Sequence, residues 1–184
     1  RTIVDRHKHS VWLGQGESQA QWGIVRAALQ LVAACGDGDN DLPGNISNLD
    51  GLIEHYTSSL REIDRLQREF EQAIGEYISI EPIVDHVAEH ARQRYAKMAE
   101  KVQTIFIKLL ENEGWPPQSM LANGDLFDTL VEPLLAERTK RVAYIPVDAL
   151  RYELGLELQR QLIDMGTATI QPSIAQLPTV TPIG

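Results

Sequence analysis

Between Leu49 and Leu109 apolar residues recur three and four apart, in two runs separated by a break. The first run is Leu52, Tyr56, Leu60, Ile63, Leu66, Phe70, Ile74 and Tyr77. The second is Ile83, Val87, Ala91, Tyr95, Met98, Val102, Ile105 and Leu109. This spacing lines one face of a helix. It predicts a helix over about 49–77 and a second one from Pro82, since proline suits a first helical turn. Two long amphipathic helices joined by a short turn form an antiparallel hairpin.

The flanking segments extend this helical region. "TIVDRHKHSVWL" alternates loosely and reads as a strand or extended entry, which "GQGESQ" breaks. Ser18 is placed to cap a helix that reaches about Cys35, with Gly36 as its stop. Trp22, Val25, Leu29 and Val32 would form its apolar face. "GDGDNDLPGN" reads as a loop. "ENEGWPPQS" ends the second long helix, and Asp125 can cap a short helix to about Arg138, with a kink at Pro133.

From Arg141 the texture changes. "VAYIPV" is a nearly continuous apolar run, as expected of a strand covered on both faces. A helix follows, with Leu154, Leu158 and Leu162 four apart and Gly166 as its stop, and "TATIQP" can be a second strand. The order is that of a βαβ unit opening a parallel α/β sheet. So few strands cannot bury themselves, so the unit reads as the start of a truncated domain. The division expected is a helical region over 1–140 and an α/β domain from 141–184.

Composition narrows the function. The formal net charge of −9 argues against broad, non-specific nucleic-acid binding. It leaves phosphate chemistry open, because a bound metal ion can be the largest local charge in a site. A single cysteine, Cys35, excludes an internal disulfide and fits a reducing cytosol, so a cytoplasmic location is expected. Its place in an apolar helical pattern reads as a buried structural thiol. No apolar run approaches the roughly 20 residues of a membrane span.

Several residues invite a chemical reading. Asp148 ends the apolar run, where ligands gather in open α/β sheets. It could ligate a metal, or simply cap the helix expected from Ala149. "LPTVTPIG" reads as strand end, turn and helix start, which makes Thr181 an N-cap. Its hydroxyl is either a plain cap or a nucleophile beside backbone N–H donors and a metal, with Thr179 as the competing hydroxyl. "HVAEH" (His86 to His90) matches a zinc pattern, but no third ligand is identifiable, and a solvated helix face accounts for it. His7 and His9 are either a metal clip or basic groups on a strand surface. "GQGESQ" lacks the third glycine of a phosphate-binding loop.

"YIPVDALRYELG" and "IAQLPTVTPIG" together resemble the PglZ family, a branch of the alkaline phosphatase superfamily found in BREX phage-defence systems. "VWLGQGESQAQWGIVRAALQLV" and "REIDRLQREFEQA" also resemble the helical region that precedes the phosphatase domain in that family. The resemblance implies a metal-dependent phosphate-ester hydrolase with two divalent cations, zinc or magnesium or manganese. It implies Asp148 as the first metal-binding carboxylate and Thr181 as a metal-bound nucleophile. Arg151 is a weaker candidate for contacting the substrate phosphate. The family's further ligands, an Asp-x-x-x-His pair, an Asp-His pair and a final His, lie downstream of the threonine and are not in these 184 residues. Implied partners are a phosphate-ester substrate, nucleic acid or nucleotide among them, and other defence subunits; no membrane is implied. The alternative is a catalytically silent helical scaffold that assembles a defence complex.

Overall fold

The computed structural model describes residues 16–42, 46–77, 82–117, 119–136 and 141–177. Helices dominate them: α1 (Gly16–Asp41), α2 (Leu49–His55), α3 (Arg61–Gly75), α4 (Pro82–Glu113), α5 (Glu132–Leu135) and α6 (Tyr152–Leu162). Two compact units divide the chain, Arg1–Ile46 with Ser58–Ile105 and Ser47–Thr57 with Phe106–Gly184.

The first unit packs α1, α3 and the first part of α4 side by side. α1 buries Ile24, Ala28, Leu31, Cys35 and Gly38, and Leu42 just beyond its end continues the series, alternately four and three apart. That seven-residue repeat keeps one seam of a helix against its neighbours. On α4, Val84, Ala88, Ala91, Met98 and Leu109 are buried, with Tyr95, Val102 and Ile105 half-buried on the same repeat. α3 contributes Ile63 and Phe70. Complete burial of a side chain such as Phe70 or Leu31 stabilises the fold by about 1.5–3 kcal/mol.

Polar ties fix helix directions. Arg92 donates to both oxygens of Glu71, at 2.9 and 2.7 Å, and the Tyr95 hydroxyl donates to Asp64 at 2.9 Å. Partner numbers rise on α4 as they fall on α3, so the expected antiparallel hairpin is present. Gln21 donates to the Tyr77 hydroxyl at 2.9 Å, while Gly38 faces Leu60 and Ile63. α1 therefore also runs antiparallel to α3.

α1 departs from its sequence reading in length and in face. It starts at Gly16, so Ser18 lies within its first turn, and it continues through Gly36 and Gly38 to Asp41. Trp22 and Leu29, expected inside, are 39% and 49% exposed. Two contacts hold the glycine-rich end helical. Arg94 donates to the Cys35 carbonyl at 3.1 Å and pairs with the Asp39 carboxylate, while Lys101 reaches Asp39 at 3.3 Å. Gly38 meanwhile lies so close to the facing helices that an added Cβ would sit 2.7 Å from Ile63 and 3.0 Å from Met98. On α4, Ile83 is exposed and Val84 takes the inward place. The helix over 49–75 is interrupted by a π-helical turn, Tyr56–Leu60, in which the Thr57 hydroxyl donates to the Ile53 carbonyl at 3.0 Å.

In the second unit Asn48 caps α2 by accepting from the Gly51 N–H at 2.8 Å, and Glu113 accepts from the Leu49 N–H at 3.0 Å. α4 ends at Gly114, whose φ of 81° suits glycine and whose N–H reaches the Leu110 carbonyl at 2.9 Å. The short helix expected from Asp125 is broken into a 3-10 turn at Asn123–Asp125, a π-helical turn at Phe127–Val131 and α5, and Asp125 makes no cap bond. Pro133 sits in the first turn of α5 rather than at a kink.

The βαβ unit is seen only in its helix. Among the described residues no strand forms; the one β-bridge is the parallel pair Ala122 and Ile174. Residues 141–147 form no β-pairing with other described residues, and Tyr144, Ile145 and Val147 are 53%, 76% and 56% exposed. An isolated strand has no ladder to join and no face to cover, so the apolar run stays irregular. α6 ends at Leu162, short of Gly166, and its Leu158 and Leu162 are exposed.

Two matched glycines test the α1 packing. Gly36→Ala, with open space around it, should stabilise the bundle by about 0.5–1 kcal/mol through helix propensity. Gly38→Leu should destabilise it by about 1–3 kcal/mol through overpacking. Equal effects in chemical denaturation would contradict the close approach at Gly38. The Asp39 pair has a pH signature. The hydrogen bond from Arg94 holds the Asp39 carboxyl below its ordinary range; burial opposes it, and the hydrogen bond from Lys101 adds to the lowering. Its contribution is complete above about pH 4 and is lost as pH falls through the lowered folded-state value. Asp39→Asn should therefore cost stability near neutrality and flatten the acid limb of a stability–pH curve.

Candidate functional site

The segment that carries Asp148 begins where the apolar run meets the broken helix before it. The Tyr144 ring packs edge-on against Phe127, with centroids 5.7 Å apart and an interplanar angle of 73°. The run then ends in a turn at Asp148 and Ala149. Ala149 has a φ of 54°, in the left-handed region where a Cβ is unfavourable. Asp148 is exposed and makes no hydrogen bond or ion pair with another described residue.

The capping alternative for Asp148 does not survive. Helix α6 starts at Tyr152, and the residue at its cap position is Arg151, in an extended conformation with no side-chain cap bond. Ala149 is not helical. Asp148 and Arg151 thus flank one exposed turn at the start of α6. Behind it, Gln159 of α6 donates to the Ala168 carbonyl at 2.9 Å, and a Cβ on Gly155 would meet Ile170 at 3.1 Å. The returning segment is thereby held against the helix.

Thr181 and Thr179 lie outside the described residues, as do His7 and His9. The chain that leads toward Thr181 is described as far as Leu177. Its residues 173–175 are fastened to 115–123. Ile174 exchanges backbone bonds with that stretch: its N–H donates to the Leu121 carbonyl at 2.9 Å, and its carbonyl accepts from Asn123 at 2.8 Å. Ser173 donates to the Asn123 side chain at 3.0 Å, and the Trp115 indole N–H donates to the Ala175 carbonyl at 2.9 Å. The indole also packs edge-on against Phe106 at 5.5 Å. Sequence reasoning took Trp115 only as part of a helix stop. Its aromatic ring in a proline-rich turn was the available signal.

The other candidates resolve without chemistry. His86 and His90 are exposed on α4, as a solvated helix face requires. Cys35 is fully buried, and burial pushes its thiol up to about 11, which leaves it protonated and unreactive at neutral pH. Among the described residues no group of three or more His, Cys, Asp or Glu side chains could hold a metal ion. Asp148, exposed and uncommitted, fits a single ligand position; the described residues do not complete a coordination sphere.

Residues 126–184 match the family model described as the BREX system PglZ alkaline phosphatase-like domain. The last third of the chain is thus similar to an alkaline-phosphatase-like domain. Within that class the similarity is to the PglZ domain of BREX systems, and it covers residues 126–184 alone. The matched stretch contains Asp148, Arg151 and Thr181, and the upstream helices lie outside it. No curated protein and no solved structure matches the chain. No helix of the described residues is long and apolar enough to cross a membrane.

The turn at Asp148 makes a stability prediction of its own. Ala149→Gly should relieve the left-handed strain and stabilise the fold by about 1 kcal/mol. The branched Ala149→Val should do the opposite. The two variants are compared by chemical denaturation; a destabilising glycine would mean that the turn is not left-handed in solution.

Proposed function

We propose that this chain supplies the nucleophile and the first metal-binding carboxylate of a metal-dependent phosphate-ester hydrolase in a BREX-type phage-defence system. The observation that carries the reading is the PglZ match over 126–184, which spans both motifs. Asp148 is the metal ligand, Thr181 the attacking hydroxyl, and Arg151 a contact for the substrate phosphate. A divalent cation held by Asp148 and Thr181 would lower the pKa of the hydroxyl and neutralise phosphate charge. The exposure of Asp148 and the absence of a partner among the described residues support this role, because a carboxylate already bonded to the protein would be less available. Arg151, also exposed and three residues further on, brings a guanidinium suited to paired phosphate oxygens.

The substrate class is a phosphate mono- or diester, nucleotides and nucleic acid among them. One carboxylate and one hydroxyl fall short of the four to six ligands that zinc or magnesium takes, so these 184 residues by themselves should not hydrolyse esters. The helical bundle of the first unit favours a further role as a scaffold for other defence subunits, since it folds around its own core and lies outside the PglZ match.

The test uses the protein with its complete phosphatase domain. Thr181→Ala should abolish metal-dependent hydrolysis while leaving the circular dichroism spectrum unchanged. Retained turnover would move the nucleophile elsewhere, with Thr179 the first residue to try. Asp148→Ala should weaken cation binding by calorimetry, and an unchanged affinity would remove Asp148 from the metal site.

A further inference from the structure

The chain reaches Thr181 from an anchor that lies outside the matched family stretch. Residues 115–123 precede the match at 126–184, yet they hold residues 173–175 by four hydrogen bonds. Two are backbone bonds across the parallel Ala122–Ile174 bridge. The third joins Ser173 to Asn123, and the fourth joins the Trp115 indole to the Ala175 carbonyl. Ile174 is 7% exposed, one of the few buried side chains in its unit. Trp115 is itself oriented by its edge contact with Phe106 on α4, so the indole N–H arrives from a fixed direction.

Thr181 follows Ala175 by six residues. Six residues span at most roughly 20 Å, so an anchor at Ala175 limits where that hydroxyl can go. An attacking oxygen must approach its target within a narrow range of distance and direction, and a small misplacement costs rate rather than binding.

We infer that Trp115, with Asn123 and Ser173, positions the segment bearing the nucleophile. The inference rests on the reading of Thr181 given above. Trp115 is a positioning residue: it acts through the backbone at Ala175 and touches no substrate. The helical region thereby takes part in catalysis through a clamp on the strand-like segment that precedes the threonine.

The experiment uses Trp115→Phe in the full-length protein, which keeps a ring against Phe106 and removes the indole N–H. Two readouts are taken, hydrogen exchange of amides 173–177 and steady-state hydrolysis of p-nitrophenyl phosphodiester and monoester substrates with added divalent metal. Exchange at 173–177 should accelerate, and kcat should fall about tenfold with KM unchanged. Ser173→Ala, which deletes one side-chain bond and no packing, should act in the same direction more weakly, and it decides the matter if the phenylalanine variant does not fold. Unchanged exchange overturns the clamp. Faster exchange with unchanged kcat overturns its catalytic role. Thr181→Ala run in parallel separates the two readings: if it retains turnover the nucleophile assignment fails, whereas the exchange data still judge the clamp.

Discussion

The grip of Arg94 and Lys101 on Asp39 holds the end of α1 in a helix that its local sequence opposes. Two glycines within three residues each cost about 1 kcal/mol relative to alanine in a helix. A partly exposed ion pair returns at most about 1 kcal/mol, so the pair cannot offset both glycines alone. The remainder comes from packing: Gly38 lets α1 approach Ile63 and Met98, and Leu42 is buried one turn further on. A side chain at Gly38 would push the helices apart where Cys35 and Leu31 are also buried. The seven-residue seam of the whole bundle therefore depends on this close approach.

The second unit is built differently. Many of its large apolar side chains remain exposed, among them Ile145, Val147, Ile163 and Met165. Few of its residues are buried, and its order comes from hydrogen bonds at particular points: Asn48 and Glu113 at the start of α2, Gly114 at the end of α4, and the bridge at Ile174. Such a unit keeps its helices and anchors, while segments that need a sheet neighbour stay irregular.

The legibility of the fold follows this contrast. The helix hairpin could be read because its stripe is long and its pairing local, and the stripe of α4 was in register from Ala91 onward. The end of α1 could not be read, because glycine and aspartate are loop formers until Arg94, more than fifty residues away, supplies a partner. The buried face of α1 was misassigned for a related reason. Trp22, Val25, Leu29 and Val32 are periodic too, and only the facing helices choose between two adjacent stripes. In the matched region the motifs around Asp148 and Thr181 were visible in the sequence, whereas the bonds from Trp115 and Asn123 join residues some fifty to sixty apart and leave no local trace.

The turn at Asp148 links the local backbone to the proposed chemistry. A left-handed alanine costs roughly 1–2 kcal/mol, where glycine would adopt the same φ freely. The cost is not offset by a cap bond, since α6 begins three residues later with no side-chain cap. Nor does Asp148 support its neighbours through an ion pair among the described residues, unlike Asp39 and Glu71, which hold helices together. Strain of this kind persists where the surroundings impose it, and it gathers at sites that must present a group in one direction. A carboxylate carried on such a turn, with Arg151 beside it, is poorly explained by stability alone, whereas an outward-facing, unpaired carboxylate is what the proposed metal ligation would require.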